Sequence, residues 1–280
     1  MLHSYSLVLV HVDPTPHARR RIVVARQIAQ EQGAELAALY AVTPSLAALP
    51  YTPEMDPSLA ATLMEFDNAR RDETLKAFDQ EMTRPGPVAS WAQVGEMPAS
   101  GAFAQQGLYA DLVVLGQYDP EAEPARCVPP DFVEGVIVAS GRPALVVPHI
   151  GWDRRIGTTV AIAWKETPEA ARAVQGAMPF LRRAGAVHVF TWGEQGAPGL
   201  TGRALDLQQY LRAHDVMATW HREPQEPEAL GEVLLSRVFD VGADLLVMGC
   251  YGHSRAREFV MGGVSRTILE AMTVPVLMAH

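Results

Sequence analysis

One pattern occurs twice in this chain, and that repetition limits what it can fold into more than any other feature. Ala110–Gly116 reads A-D-L-V-V-L-G, and Ala243–Gly249 reads A-D-L-L-V-M-G. Each stretch is followed by a proline-led apolar run, P-A-L-V-V-P-H from Pro143 and P-V-L-M-A-H from Pro275. The openings of the two halves also match. L-V-L-V-H-V-D-P-T-P ends at Pro16 and V-A-I-A-W-K-E-T-P at Pro168. A repeat of this length means two copies of one structural unit in tandem. Thr15 and Thr167 lie 152 residues apart, but Asp111 and Asp244 only 133, so the first copy holds 19 extra residues. The proline-rich stretch Thr43–Pro57 is the natural place for them, as a loop leading into a helix from about Ser58. The boundary between copies falls in H-I-G-W-D-R-R, which predicts domains 1–150 and 151–280.

Within each copy, short apolar runs alternate with helical patterns. In the first, strands are expected at Ser6–Val12, Ala34–Val42, Val88–Gln93, Asp111–Gly116 and Ala144–Val147. Thr15 and Pro16 open the first helix, and Gly33 stops it. In the second, strands are expected at Thr159–Trp164, Val187–Thr191, Val216–His221, Asp244–Met248 and Val276–Ala279. Uniformly apolar strands separated by helices make a parallel sheet covered on both faces. The predicted fold class is therefore α/β, two doubly wound parallel-sheet domains in tandem.

Several functional classes are disfavoured. Net charge is -9, and no basic face is apparent for a nucleic acid partner. No apolar run approaches the roughly 18 residues that cross a bilayer. Met1–Val12 lacks the basic start of a secretory leader. Cys127 and Cys250 form no Cys-x-x-Cys pair and are expected to be free thiols. A cytoplasmic location is the resulting expectation, with no membrane partner. No G-x-x-x-x-G-K-[ST], no G-x-G-x-x-G after a first strand, no G-x-S-x-G and no zinc spacing occurs. No catalytic residue and no metal ligand is assigned.

M-G-C-Y-G-H-S-R-A-R-E-F-V-M-G-G, Met248–Gly263, stands apart. It follows the fourth strand of the second copy and leads into a helix from about Val264. Ligands of doubly wound sheets sit beyond the carboxyl ends of the strands. Glycines let backbone approach a ligand, and the amides of a helix N-terminus attract anions. Ser265 adds a hydroxyl. His253, Arg255, Arg257 and Arg266 concentrate positive charge in an acidic chain.

Gly249, two residues, Gly252, nine residues and Gly262 resemble the nucleotide-binding signature of the ATP-binding branch of the universal stress protein family. The layout of both copies is similar to that family over almost the whole chain. The resemblance implies a Rossmann-like, adenine nucleotide alpha hydrolase-like fold. It also implies a site for ATP, or ADP or AMP, with Mg²⁺ as an accompanying ion. By position it assigns Gly249, Gly252, His253, Gly262, Gly263, Val264 and Ser265 to phosphates and ribose, with Arg255 nearby. Ala163, Trp164 and Lys165 fall beside the base and ribose. Gly263 stands where the family has Ser or Thr, and Lys165 where an Asp is expected. The first copy keeps Asp13 but ends its fourth strand in G-Q-Y-D-P-E-A-E-P, whose Asp119, Glu121 and Glu123 would repel phosphate.

The resemblance further implies contact through the last strands, Ala144–Val147 and Val276–Ala279, and leaves room for a homodimer of the whole chain. A regulatory nucleotide-binding protein of the stress response is the leading reading. A slow nucleotide hydrolase or phosphotransferase and a nucleotide-free scaffold are the alternatives.

Overall fold

The structure, a computed structural model, describes residues 4–48, 56–94, 98–122, 127–193, 204–250 and 263–280. Two compact units emerge. One comprises Ser4–Arg142 and His149–Gly151, and is called the N-terminal unit below. The other, the C-terminal unit, takes in Pro143–Pro148 and Trp152–His280.

The N-terminal unit alternates β1 (Leu7–Val12), α1 (Ala18–Gln32), β2 (Glu35–Tyr40), α2 (Pro57–Met82), β3 (Ala89–Gln93), α3 (Ala99–Gly107), β4 (Leu112–Gly116) and α4 (Phe132–Ser140). Its strands run parallel in the order β3-β2-β1-β4. β1 and β4 are buried along nearly their whole length, as strands covered on both faces must be. α1 ends at Gly33, whose φ of 69° suits a residue without a Cβ. Asp56 caps α2 by accepting the Ser58 N–H at 2.9 Å.

The C-terminal unit holds β5 (Ala144–Val147), β6 (Thr159–Ala163), α5 (Pro168–Leu181), β7 (Ala186–Trp192), α6 (Leu207–Ala213), β8 (Thr219–Glu223), α7 (Leu230–Asp240), β9 (Leu245–Gly249), α8 (Gly263–Ala271) and β10 (Val276–Ala279). Its order is β5-β10-β9-β6-β7-β8. All neighbours are parallel except β5, which runs antiparallel to β10 with Val146 opposite Val276. The last strand therefore has partners on both edges, one of them from residues that precede the second copy in sequence. The two apolar runs expected to meet, Ala144–Val147 and Val276–Ala279, do so.

The repeated Ala-Asp-Leu has a mechanical role that sequence reading missed. The Asp111 carboxylate accepts the N–H groups of Ser6 and Leu7 at 2.7 and 3.1 Å. Asp244 accepts those of Gly157, Thr158 and Thr159 at 2.7–3.2 Å. In each copy a carboxylate at the start of the fourth strand pins the start of the first.

Two boundaries that differ from expectation have a local cause. α1 begins at Ala18, not at Pro16. The Asp13 carboxylate accepts both the N–H and the hydroxyl of Thr15, at 2.9 and 2.5 Å, and holds Thr15 in a turn ahead of the helix. In the second copy Lys165 replaces that carboxylate, and Thr167 caps α5 through the Ala170 N–H. β8 starts at Thr219, three residues late, because Asp215 at φ 61° and Val216 finish the turn after α6.

A histidine is buried in the N-terminal core. His11 Nε2 donates to the Ala41 carbonyl at 2.8 Å, and its ring lies 4.2 Å from that of Phe132. Burial pushes its pKa down to about 4. The neutral ring is the folded form, whereas the unfolded chain takes up a proton below about pH 6.5. Stability is thus complete above pH 6.5 and falls as pH drops toward 4, by about 3 kcal/mol in all. Urea denaturation between pH 7.5 and roughly 4.5 checks this. A His11→Gln variant is expected to lose most of the slope.

Candidate functional site

In the C-terminal unit, β6 connects to β7 on one side and β9 to β10 on the other, so the strand order reverses between β6 and β9. Their carboxyl ends are in step: Ala163 lies opposite Met248. Trp164 and Lys165 leave β6 where Gly249 ends β9. The sheet thereby brings together Ala163, Trp164, Lys165 and Gly249 at the point where a doubly wound fold opens a crevice. Trp164 is anchored by its N–H on the Phe190 carbonyl at 2.9 Å. Lys165 projects outward, its ammonium 3.6 Å from the Glu226 carboxylate with both side chains about half exposed, a pairing worth little in water.

Gly249 is held to glycine by packing. A Cβ there would press into the backbone of Glu169 and Ala170, the first turn of α5. Lack of a side chain lets that helix end reach the crevice. Glu169, which sequence reading passed over, rides on the same turn. Its Oε2 is sealed from solvent and has no hydrogen-bond partner among the described residues. Its only sequence signal is its place in T-P-E, inside a first helical turn that follows a strand.

Gly263, Val264 and Ser265 form the first turn of α8. Gly263 is exposed, and Ser265 is turned inward, 5 % exposed. Arg266 pairs with Glu270 at 2.8 Å on the outer face of the helix. Gly252, His253, Arg255 and Gly262 lie outside the described residues, as does Arg257. Among the described residues no three His, Cys, Asp or Glu side chains could hold a metal ion, and no helix is long and apolar enough to cross a membrane.

The model of the universal stress protein family matches residues 158–280. This part of the chain is a universal stress protein domain. The whole chain is similar in structure to a universal stress protein from Archaeoglobus fulgidus DSM 4304. The TM-score is 0.69 at 14 % identity, over 98 % of this chain and 95 % of that one. A functionally unknown protein from Pseudomonas aeruginosa PAO1 is similar at a TM-score of 0.59 and 14 % identity, over 98 % and 92 % of the two chains. At such identities the likeness is one of fold, and its full-length coverage fits two tandem α/β domains. No curated protein matches the sequence.

The N-terminal unit handles the corresponding place differently from the universal stress protein domain. At the carboxyl ends of β1 and β4, Arg21 reaches across Gly116 and bonds the Asp13 carboxylate at 2.5 Å and the His11 carbonyl at 3.2 Å. Burial works against the charge on Asp13. Arg21 and the Thr15 bonds overcome it and hold the carboxyl below its usual range. His17 Nε2 contacts Asp119 at 2.8 Å at the rim. The space left between these side chains, about 30 Å³, has room for one or two waters. Both cysteines are buried free thiols, and burial followed by the charge of Asp13 pushes Cys127 up to about 12.

Proposed function

We propose that the universal stress protein domain binds ATP or a related adenine nucleotide at the carboxyl ends of β6 and β9. The role is regulatory, in a cytoplasmic stress response. The observation that carries this reading is the juxtaposition of Gly249 with Ala163–Lys165 at the point of strand reversal, from which the glycine-spaced loop departs. In this reading the amides of Gly252, Gly262, Gly263 and Val264 hold the phosphates, with Ser265, His253 and Arg255 beside them. Lys165 has no acceptor for a ribose hydroxyl, because an ammonium only donates. Glu169 fills that role in this reading, since its buried carboxylate oxygen has no donor among the described residues. Any Mg²⁺ would arrive on the phosphates, since this ion keeps most of its waters and needs few protein ligands. Hydrolysis is not part of the proposal.

Calorimetric titration with ATP is the test. A Kd on the order of micromolar is expected, about 8 kcal/mol of binding. Gly252→Val should abolish it and Lys165→Ala weaken it. Absence of both heat and thermal stabilisation would overturn the proposal. Phosphate release from Mg²⁺-ATP above blank, lost in Gly252→Val, would instead make the domain a hydrolase.

A further inference from the structure

α2 carries an arginine whose most selective edge is unused. The Arg70 side chain is 16 % exposed, and its Nη1 lies 3.7 Å from Asp67 Oδ1. Its guanidinium carbon sits 5.1 Å from the centroid of the Phe66 ring. Nε and Nη2 are both sealed from solvent and have no hydrogen-bond partner among the described residues. These two nitrogens form the side of the guanidinium that grips two oxygens at once. Asp67 does not turn to them, because its carboxylate accepts the N–H and hydroxyl of Ser45 at 2.8 and 2.6 Å.

A second orphan lies in the same region. The Thr43 hydroxyl is buried and unpartnered among the described residues. Thr43 donates its N–H to the Cys127 carbonyl at 2.7 Å, and the charge of Arg70 acts on both the Cys127 thiol and the Tyr40 hydroxyl. Ser45, two residues beyond Thr43, is bonded to Asp67, which in turn lies 3.7 Å from Arg70, so Thr43 and Arg70 belong to one corner just past the carboxyl end of β2. Charged donors left unmet are among the costlier defects a core can hold. Such donors imply something to meet them.

We infer that this corner of the N-terminal unit is a binding site for a small oxyanion group, a carboxylate or a phosphate. Two of its oxygens meet Arg70 Nε–H and Nη2–H, and one also accepts from the Thr43 hydroxyl. The surrounding charges set the strength. Asp13 is matched by Arg21 and Asp67 faces Arg70. Tyr40 stays neutral, pushed up to about 12 by burial and then by Cys127. Cys127 also stays neutral. The ligand adds one negative charge to a balanced cluster, so a Kd on the order of millimolar is expected. The site lies in the other unit from the nucleotide crevice and does not depend on that reading.

Thermal unfolding of the full chain tests it, with sodium phosphate or sodium acetate titrated against sodium chloride at equal ionic strength. At least one anion should raise the midpoint beyond chloride. Arg70→Lys keeps the charge but loses the two-pronged edge, and should weaken the response roughly tenfold or more. Thr43→Val, a near-isosteric change, should weaken it less, and it carries the test if Arg70→Lys fails to fold. A response to phosphate alone identifies a phosphate ligand, and to acetate alone a carboxylate. Equal midpoints in all three salts would mean that the edge holds water only and would overturn the proposal. So would a response undiminished in both variants, or one lost in Lys165→Ala, which would move the anion to the other unit.

Discussion

Arg21→Met is expected to destabilise the N-terminal unit by about 3–5 kcal/mol, the usual result of removing one partner from a buried ion pair. Arg21 and Asp13 are 5 % and 2 % exposed. Without the guanidinium, the Asp13 carboxylate keeps the Thr15 bonds but is an almost fully buried anion with no countercharge. The His11 carbonyl also loses a donor. Adding Asp13→Asn to the same chain should restore much of the loss, because a neutral amide tolerates burial far better than a lone anion. Urea denaturation at pH 7 of the parent chain and both variants measures the two effects. A loss below about 1 kcal/mol in Arg21→Met would show that water reaches Asp13 and that the pair is not closed as described.

Gly249→Val should have the next largest effect, about 3 kcal/mol, through overpacking. The added carbons meet backbone rather than a side chain that could swing aside. α5 must therefore shift as a body. Its buried face, including Val174, Ala177 and Met178, shifts with it. Because Glu169 travels on the same turn, ATP binding should fail in this variant even where the fold survives. Gly249→Ala should show the same two effects at smaller size. Denaturation and calorimetry on the same preparations separate them. Unchanged stability in Gly249→Val would mean that the first turn of α5 yields easily, which its Thr167 cap argues against.

The same dipeptide shows why local reading placed the strands well and a helix start less well. Thr-Pro opens both copies, and sequence alone treats the two alike. Only the second caps a helix: where it has Lys165, the first has Asp13, whose carboxylate draws the Thr15 N–H and hydroxyl into a turn ahead of α1. Strands were legible because burial on both faces demands unbroken apolar runs, as in β1, β4, β6 and β9. β8 was found but with its start three residues early, since T-W-H-R-E lies at the edge of its sheet and is half solvated. The crevice was legible in part. Spacing pointed to Gly249, but as a neighbour of ligand, whereas the fold gives it a second duty as the seat of α5. Glu169 and Arg70 were invisible, since a buried orphan atom is a property of packing that no spacing records. Four of the proposed ligand-binding residues, Gly252, His253, Arg255 and Gly262, fall outside the described residues.

The pairing of β5 with β10 bears on how the chain is made. Ala144 leaves the ribosome long before Met278, the residue it must lie against. Until β10 has been made, that hydrophobic ribbon waits with one rim bare, a template for any passing strand. Closing so distant a contact is a slow step in forming a sheet. The nascent chain is thus most exposed to mispairing during translation of its second copy, and β10 is what seals it.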